Sequence, residues 1–203
     1  MKLETIDQKA SYAIGLQIGQ QLKESGLNNL DLNALKLAME DVLAENQPVL
    51  PIQELHNALR HVHEQANKEK AKQAEKIAQA GKDFLANNIK KDGIKSTESG
   101  LQYEILKSGD GAIPKATDHV QVHYTGQLID GTVFDSSVQR GEPARFPVNG
   151  VIQGWVEALQ LMPEGSKWRL YIPQELAYGA QGAGASIPPY SALIFDVELL
   201  KVL

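Results

Sequence analysis

From Pro51 to Asn88 the chain has no further proline and a single glycine, Gly81, and no other feature constrains its folding as much. Pro51 suits a first helical turn, where its missing N–H is not needed. The pattern therefore predicts one helix of nearly 40 residues, about 55 Å long at ~1.5 Å per residue. Ile52, Leu55, Leu59 and Val62 make an apolar stripe at its start, and Ile77, Phe84 and Leu85 make another near its end. Between them Glu64 to Lys76 reads EQANKEKAKQAEK, with only alanines for apolar content. A helix that is polar all round cannot be buried. The expectation is a solvated rod between two globular ends, and the helix propensity of this composition argues against a flexible charged linker. Neighbours such as Glu69 with Gln73 and Lys72 with Glu75 support it only weakly.

The two sides of that rod differ in composition. Of 17 glycines, only Gly15, Gly19, Gly26 and Gly81 precede residue 92. Upstream, Thr5-Ile6-Asp7-Gln8 has the form of a capping box that opens a first helix, with Gly26 as its stop. Asp31 suits the N-cap of a second helix, in which Leu32, Leu35, Met39, Val42 and Leu43 form an apolar stripe. Gly15 and Gly19 stand four apart, where small residues allow another helix to approach. Three helices offer a small core, so the expected completion is a partner chain. Downstream the period changes to two. Leu101–Leu106, His119–Tyr124, Thr132–Phe134, Lys167–Ile172 and Leu193–Leu200 read as strands, and Asp130-Gly131 reads as a turn. One short helix fits between Ile152 and Leu161. The fold class is α+β: residues 1–50 as a helical dimerisation domain, 51–90 as a connecting helix, and 91–203 as an antiparallel sheet that wraps one short helix.

Bulk properties exclude several functions. The net charge of -5 gives no global pull toward nucleic acid. No run approaches the ~18 apolar residues of a membrane span, and Met1–Ala10, MKLETIDQKA, lacks the apolar core of a secretory signal, so the expected compartment is cytoplasmic. Without cysteine there is no thiol nucleophile and no thiolate metal site. Gly179–Gly184 is glycine-rich, but its spacing fits neither phosphate-binding motif and reads as a surface loop. His56, His61 and His63, and likewise His119 and His123, lack the partners of a metal centre. No metal and no cofactor are expected.

What remains is a set of aromatics near turns, Tyr124, Phe134, Phe146, Trp155, Tyr178 and Phe195, with Asp135 directly after Phe134. Aromatics of this kind usually build cores, and Asp135 alone would serve as a turn cap. Together they are compatible with an apolar pocket carrying few polar groups, a small-molecule or peptide site. The residues by themselves do not name a reaction.

The ordered strings of this half do. Val122-His123-Tyr124-Thr125-Gly126, Gly131-Thr132-Val133-Phe134-Asp135-Ser136-Ser137, Val151-Ile152-Gln153-Gly154-Trp155, Gly165-Ser166-Lys167, Ala177-Tyr178-Gly179, Ile187-Pro188-Pro189 and Leu193–Leu200 closely resemble the FKBP family. They cover about half the chain, and the first half is similar to the dimerisation domain and long helix of the Mip-like bacterial branch. The resemblance implies a twisted sheet of five or six strands and a peptidyl-prolyl cis-trans isomerase pocket. Trp155 would be its floor. Tyr124, Phe146, Val151, Ile152 and Phe195 would line it, with Phe134 and Ile187 at its sides. Tyr178 and the Ile152 N–H would bind carbonyls, and Asp135 would sit at the rim beside Arg140. Ala144, Ala183 and Ser186 stand where bulkier residues are usual, which implies a more open mouth.

The implied partners are a second copy through the N-terminal helices, unfolded or proline-containing clients, and macrolide inhibitors. Nucleic acid and membrane are not among them. The competing reading is a chaperone or adaptor that binds proline turns with little turnover.

Overall fold

The computed structural model describes residues 2–27 and 29–203; Met1, which opens the mixed-charge segment, and Asn28, between the first two helices, lie outside the described residues. The chain divides into two compact units between Gln73 and Ala74.

In the first unit the capping signals act where the sequence puts them. Helix α1, Ile6–Glu24, opens with Thr5 Oγ1 accepting from the Gln8 N–H at 3.2 Å while Gln8 Oε1 accepts from the Thr5 N–H at 3.2 Å. Two orphan amides are satisfied reciprocally. Helix α2, Leu32–Leu43, is capped by Asp31, whose carboxylate accepts from Asn33 N at 2.8 Å and Ala34 N at 3.2 Å. Helix α3, Ile52–Asn88, is continuous through the polar stretch, where Lys72 pairs with Glu69 at 2.9 Å. The apolar stripes of this unit find little to bury against. Neither α1 nor α2 buries a residue, and Ala66 alone is buried among the described residues up to Gln73.

The division of the chain falls inside α3, so about its last four turns belong to the second unit. That unit is a seven-stranded antiparallel sheet. Its strands are β1 (Ile94–Ser96), β2 (Gln102–Lys107), β3 (His119–Leu128), β4 (Val133–Ser136), β5 (Ala144–Pro147), β6 (Lys167–Ile172) and β7 (Leu193–Val202), in the order β1-β2-β6-β7-β3-β4, with β5 also paired to β3. The strand count exceeds the expected five or six. β1 and β5, of three and four residues, are too short for a period of two to be legible.

Alternation along β3 puts Val120, Val122, Tyr124 and Gly126 on the buried face, where they meet Leu170 and Ile172 of β6 and Leu193, Phe195, Val197 and Leu199 of β7. Helix α5, Gln153–Leu159, buries Trp155, Ala158 and Leu159 in the same core. A four-residue helix, α4 (Ser137–Arg140), was not legible in the sequence; Ser136 caps it, and Gly141 ends it at φ 77°.

The end of α3 is held on this unit. Phe84 lies 6.0 Å from the Tyr171 ring. Gln102 donates to the Leu85 carbonyl at 3.0 Å and accepts from Asn88 Nδ2 at 3.1 Å, and Asn88 is fully buried.

Candidate active site

Between α5, the buried face of the sheet and the loop from Tyr178 to Ile187 lies a cavity of about 700 Å³. That volume is in the range of sites for small ligands and peptide segments. Trp155 closes it from below at 4% exposed. It is held there because α5, capped at Ile152, turns its second and third residues, Gly154 and Trp155, into the core. Tyr124, Phe146 and Phe195 stand edge-to-face around the indole at 5.4, 6.0 and 5.3 Å between ring centroids. Such packing favours the ring quadrupoles and fixes ring orientation. Phe134 meets Phe195 in the same manner at 5.6 Å.

Gly126 makes that arrangement possible. A Cβ there would lie 2.6 Å from both Phe134 and Phe195, so any side chain on this inward position of β3 would displace a wall of the cavity. Gly150, Val151, Ile152, Ala183, Ser186 and Ile187 complete the lining with Tyr178 and Asp135.

One charged residue, Asp135, lines the rim, with Arg140 behind it. The Asp135 carboxylate accepts from the Tyr124 hydroxyl and from Arg140 Nη1, while Arg140 Nη2 donates to the Tyr124 oxygen at 3.1 Å. The guanidinium also sits over the Tyr124 ring, 5.7 Å from its centroid. Burial pushes the Asp135 carboxyl up. The hydrogen bonds from Tyr124 and Arg140 and the Arg140 charge outweigh it, so the net position is below the usual carboxylate range. Burial and the Asp135 bond hold the Tyr124 hydroxyl above its ordinary value, and the same two partners, Tyr124 first, raise Arg140. At neutral pH the site holds a carboxylate, a phenol and a guanidinium.

Local structure orients this trio. Ser137 is buried beside Tyr124; its Oγ accepts from the Tyr124 N–H at 2.8 Å and contacts His123 Nδ1 at 3.0 Å. Helix α4 then returns Arg140 to the carboxylate five residues before it.

The structure gathers eleven sequence-derived candidates in one place. Ten of them, Tyr124, Phe134, Asp135, Phe146, Val151, Ile152, Trp155, Tyr178, Ile187 and Phe195, line the cavity; Arg140 stands behind Asp135. Ile152 is the N-cap of α5, so its own N–H lies outside the helical ladder. Tyr178 is 39% exposed at the mouth. Ala183 and Ser186 are on the wall, whereas Ala144 is packed against the core from β5 and does not reach the cavity. Sequence reasoning missed the supports: Gly126 and Ser137 were read only as parts of motif strings. Their signals were an inward strand glycine and a hydroxyl beside a capping serine.

The site can remove a peptide segment from water, orient its carbonyls and set one fixed charge beside it. No histidine or lysine is among the residues that line it. A family model described as FKBP-type peptidyl-prolyl cis-trans isomerase matches residues 111–200, and one described as the domain amino terminal to FKBP-type peptidyl-prolyl isomerase matches residues 7–105. The FKBP-type 22 kDa peptidyl-prolyl cis-trans isomerase of Escherichia coli strain K12 is 59% identical over 98% of this chain and 97% of its own. The FkpA isomerase of Aeromonas hydrophila is 46% identical over 98% of this chain and 77% of its own. The crystal structure of FkpA from Escherichia coli superposes with a TM-score of 0.72 at 38% identity, covering 99% of this chain and 98% of that one. Family models, fold and relatives agree over nearly all of the chain, which belongs to the FKBP-type peptidyl-prolyl cis-trans isomerases.

Proposed function

We propose that the cavity accelerates X-Pro isomerisation by holding the amide twisted, with Trp155 and its three rings as the dry surface and Tyr178 and the Ile152 N–H as carbonyl donors. The observation that carries this reading is the edge-to-face ring cluster around the buried Trp155 with a single charged lining residue, Asp135, paired to Arg140 at its rim.

Rotation about a peptide bond is opposed by ~18–20 kcal/mol of lost resonance. No bond has to form or break, so the catalyst needs only to bind the twisted amide better than either planar form. Water stabilises the polar planar amide, and an aromatic wall withdraws that help. Twisting makes the proline nitrogen more basic, and donors oriented on the neighbouring carbonyls hold the strained geometry. Asp135 acts electrostatically and by fixing Tyr124 through the shared Arg140. The test is the cis-to-trans rate of an X-Pro peptide with and without an FKBP-binding macrolide. Acceleration abolished by the macrolide supports the assignment; a bound macrolide without acceleration would leave a proline-turn adaptor. With Ala183 and Ser186 on the wall in place of bulkier groups, macrolide affinity is expected below the family norm and tolerance for the residue before proline is expected to be broad.

The first unit supports a homodimer. Fourteen large apolar residues from Ile6 to Val62 are at least a third exposed, among them Leu43 at 86% and Ile14 at 57%, and Gly15 and Gly19 face nothing within 4 Å. Apolar surface on this scale is an interaction surface in a soluble chain. Two pockets in one assembly would hold an unfolded client at two points and raise effective concentration. Sedimentation of Ile14→Glu with Leu43→Glu tests this: monomers are expected, with short-peptide isomerisation kept and assistance to a proline-limited refolding protein reduced. A wild-type monomer would refute it.

A further inference from the structure

Gly81 is the single glycine of α3, and an interior glycine weakens a helix by its backbone entropy. The isomerase cavity makes no use of it. Its surroundings supply a reason. Gly81 is buried, and a Cβ built on it would lie 3.1 Å from the Ala192 Cβ and 3.6 Å from the Ala192 nitrogen. The helix therefore packs on Ala192 closely enough that a side chain here would press its Cβ aside by a few tenths of an ångström.

Ala192 is the last residue before β7 and the end of the loop that carries two cavity walls. The links from it to those walls are short. Ser191 Oγ donates to the Pro188 carbonyl at 2.8 Å, next to Ile187. The Tyr190 N–H donates to the Gly179 carbonyl at 2.8 Å, next to Tyr178. Ala183 and Ile187 exchange backbone bonds at 2.9 and 3.1 Å and close the loop on itself. Tyr190 holds φ 62°, a left-handed conformation that a bulky L-residue rarely adopts. Strain of this kind persists only where the surroundings over-determine it. The strained residue is the one whose N–H is bonded to Gly179, two residues before the seat at Ala192.

We infer that Gly81 is a positioning residue for the pocket: the end of α3, seated on Ala192, holds residues 178–191 so that Tyr178 and Ile187 stand at the cavity. For its kinetic arm the inference rests on the isomerase reading of the cavity; its structural arm does not.

Gly81→Val in the full chain tests it, since a β-branched side chain is stiff in a helix and pushes on Ala192. The expected result is a fall in kcat/KM on a short X-Pro peptide of about five- to tenfold, as small misplacements of positioned groups cost rate. Backbone amide resonances of Gly179, Ala183, Ile187 and Tyr190 should shift, and adding Ala192→Gly should restore at least half of the rate and return the shifts. An unchanged rate with shifts confined to α3 and Ala192 overturns the inference, and so does a loss that Ala192→Gly does not restore. If Gly81→Val does not fold, Ala192→Gly alone leaves a gap under the loop; it should shift the same amides and lower the rate about two- to threefold, with silence on both counts as the refutation. A wild-type protein that fails to accelerate isomerisation would instead defeat the reading of the cavity, and the amide shifts would still decide the role of Gly81.

Discussion

The helical unit and the sheet unit use similar apolar residues to opposite ends. In the sheet unit Leu101, Leu159, Met162, Leu170, Ile172, Leu193 and Leu199 are sealed at 1% exposure or less. In the helical unit Leu43, Val42 and Ile6 stand at 86%, 76% and 84%. Patterning alone thus does not make a core; a stripe needs a facing layer. The sheet unit supplies its own through strand pairs and α5. Three helices with one polar stretch supply too little, and the surplus stays outside.

The largest test of this contrast is a matched pair of truncations. Leu159→Ala should destabilise the sheet unit by about 2–5 kcal/mol, whatever the protein concentration, because it leaves a cavity in a closed core. Leu43→Ala should act through association, so that its cost in chemical denaturation grows with protein concentration. A concentration-independent loss of similar size at Leu43 would mean that the helical unit has a core of its own, and the comparison would fail.

A smaller effect comes from the end of α3. A chain starting near residue 97 loses the Phe84 ring from Tyr171, both partners of the buried Gln102 amide and the seat under Ala192. A chain starting at Ala74 keeps all three. The longer piece should be more stable by about 2–3 kcal/mol, the scale of one buried ring together with an orphaned buried amide. Thermal unfolding of the two pieces decides it, and equal midpoints would show that the helix end merely lies on the sheet.

These contacts also mark what the sequence could disclose. Caps and periods are local, so α1, α2 and α3 were legible from Thr5, Asp31 and Pro51, and β6 from Lys167–Ile172 with both ends in place. The pocket residues were legible because their order along the chain resembles a family. Missing were the features defined only by distant neighbours. In sequence Gly126 stands only as the end of a motif string, Gly81 as an interruption in a long helix and Gln102 as one position of a strand; the two rings, Ala192, and Leu85 with Asn88 supply the reasons. β5 escaped because four residues that follow Pro143 and end on Pro147 carry almost no periodic signal.

The least change is expected with pH, and it separates the rim charge from the dry wall. The Asp135 carboxyl lies below its ordinary value in the folded chain. Its contribution is therefore fully present above the unfolded value of about 3.9 and is lost only as pH falls through the lower folded value. Tyr124 is shifted upward and keeps its proton far into the alkaline range. The trio of Asp135, Tyr124 and Arg140 should then hold one charge state from pH 5 to 8, and it should add no step to the peptide isomerisation rate over that interval. Asp135→Asn should lower kcat/KM about tenfold, on the scale of a single oriented group, at every pH in the window. Rate profiles of both proteins check this. A step between pH 5 and 8 that disappears in Asp135→Asn would mean that the carboxylate shares a proton during turnover, and the rim would then belong to the chemistry as directly as the rings around Trp155.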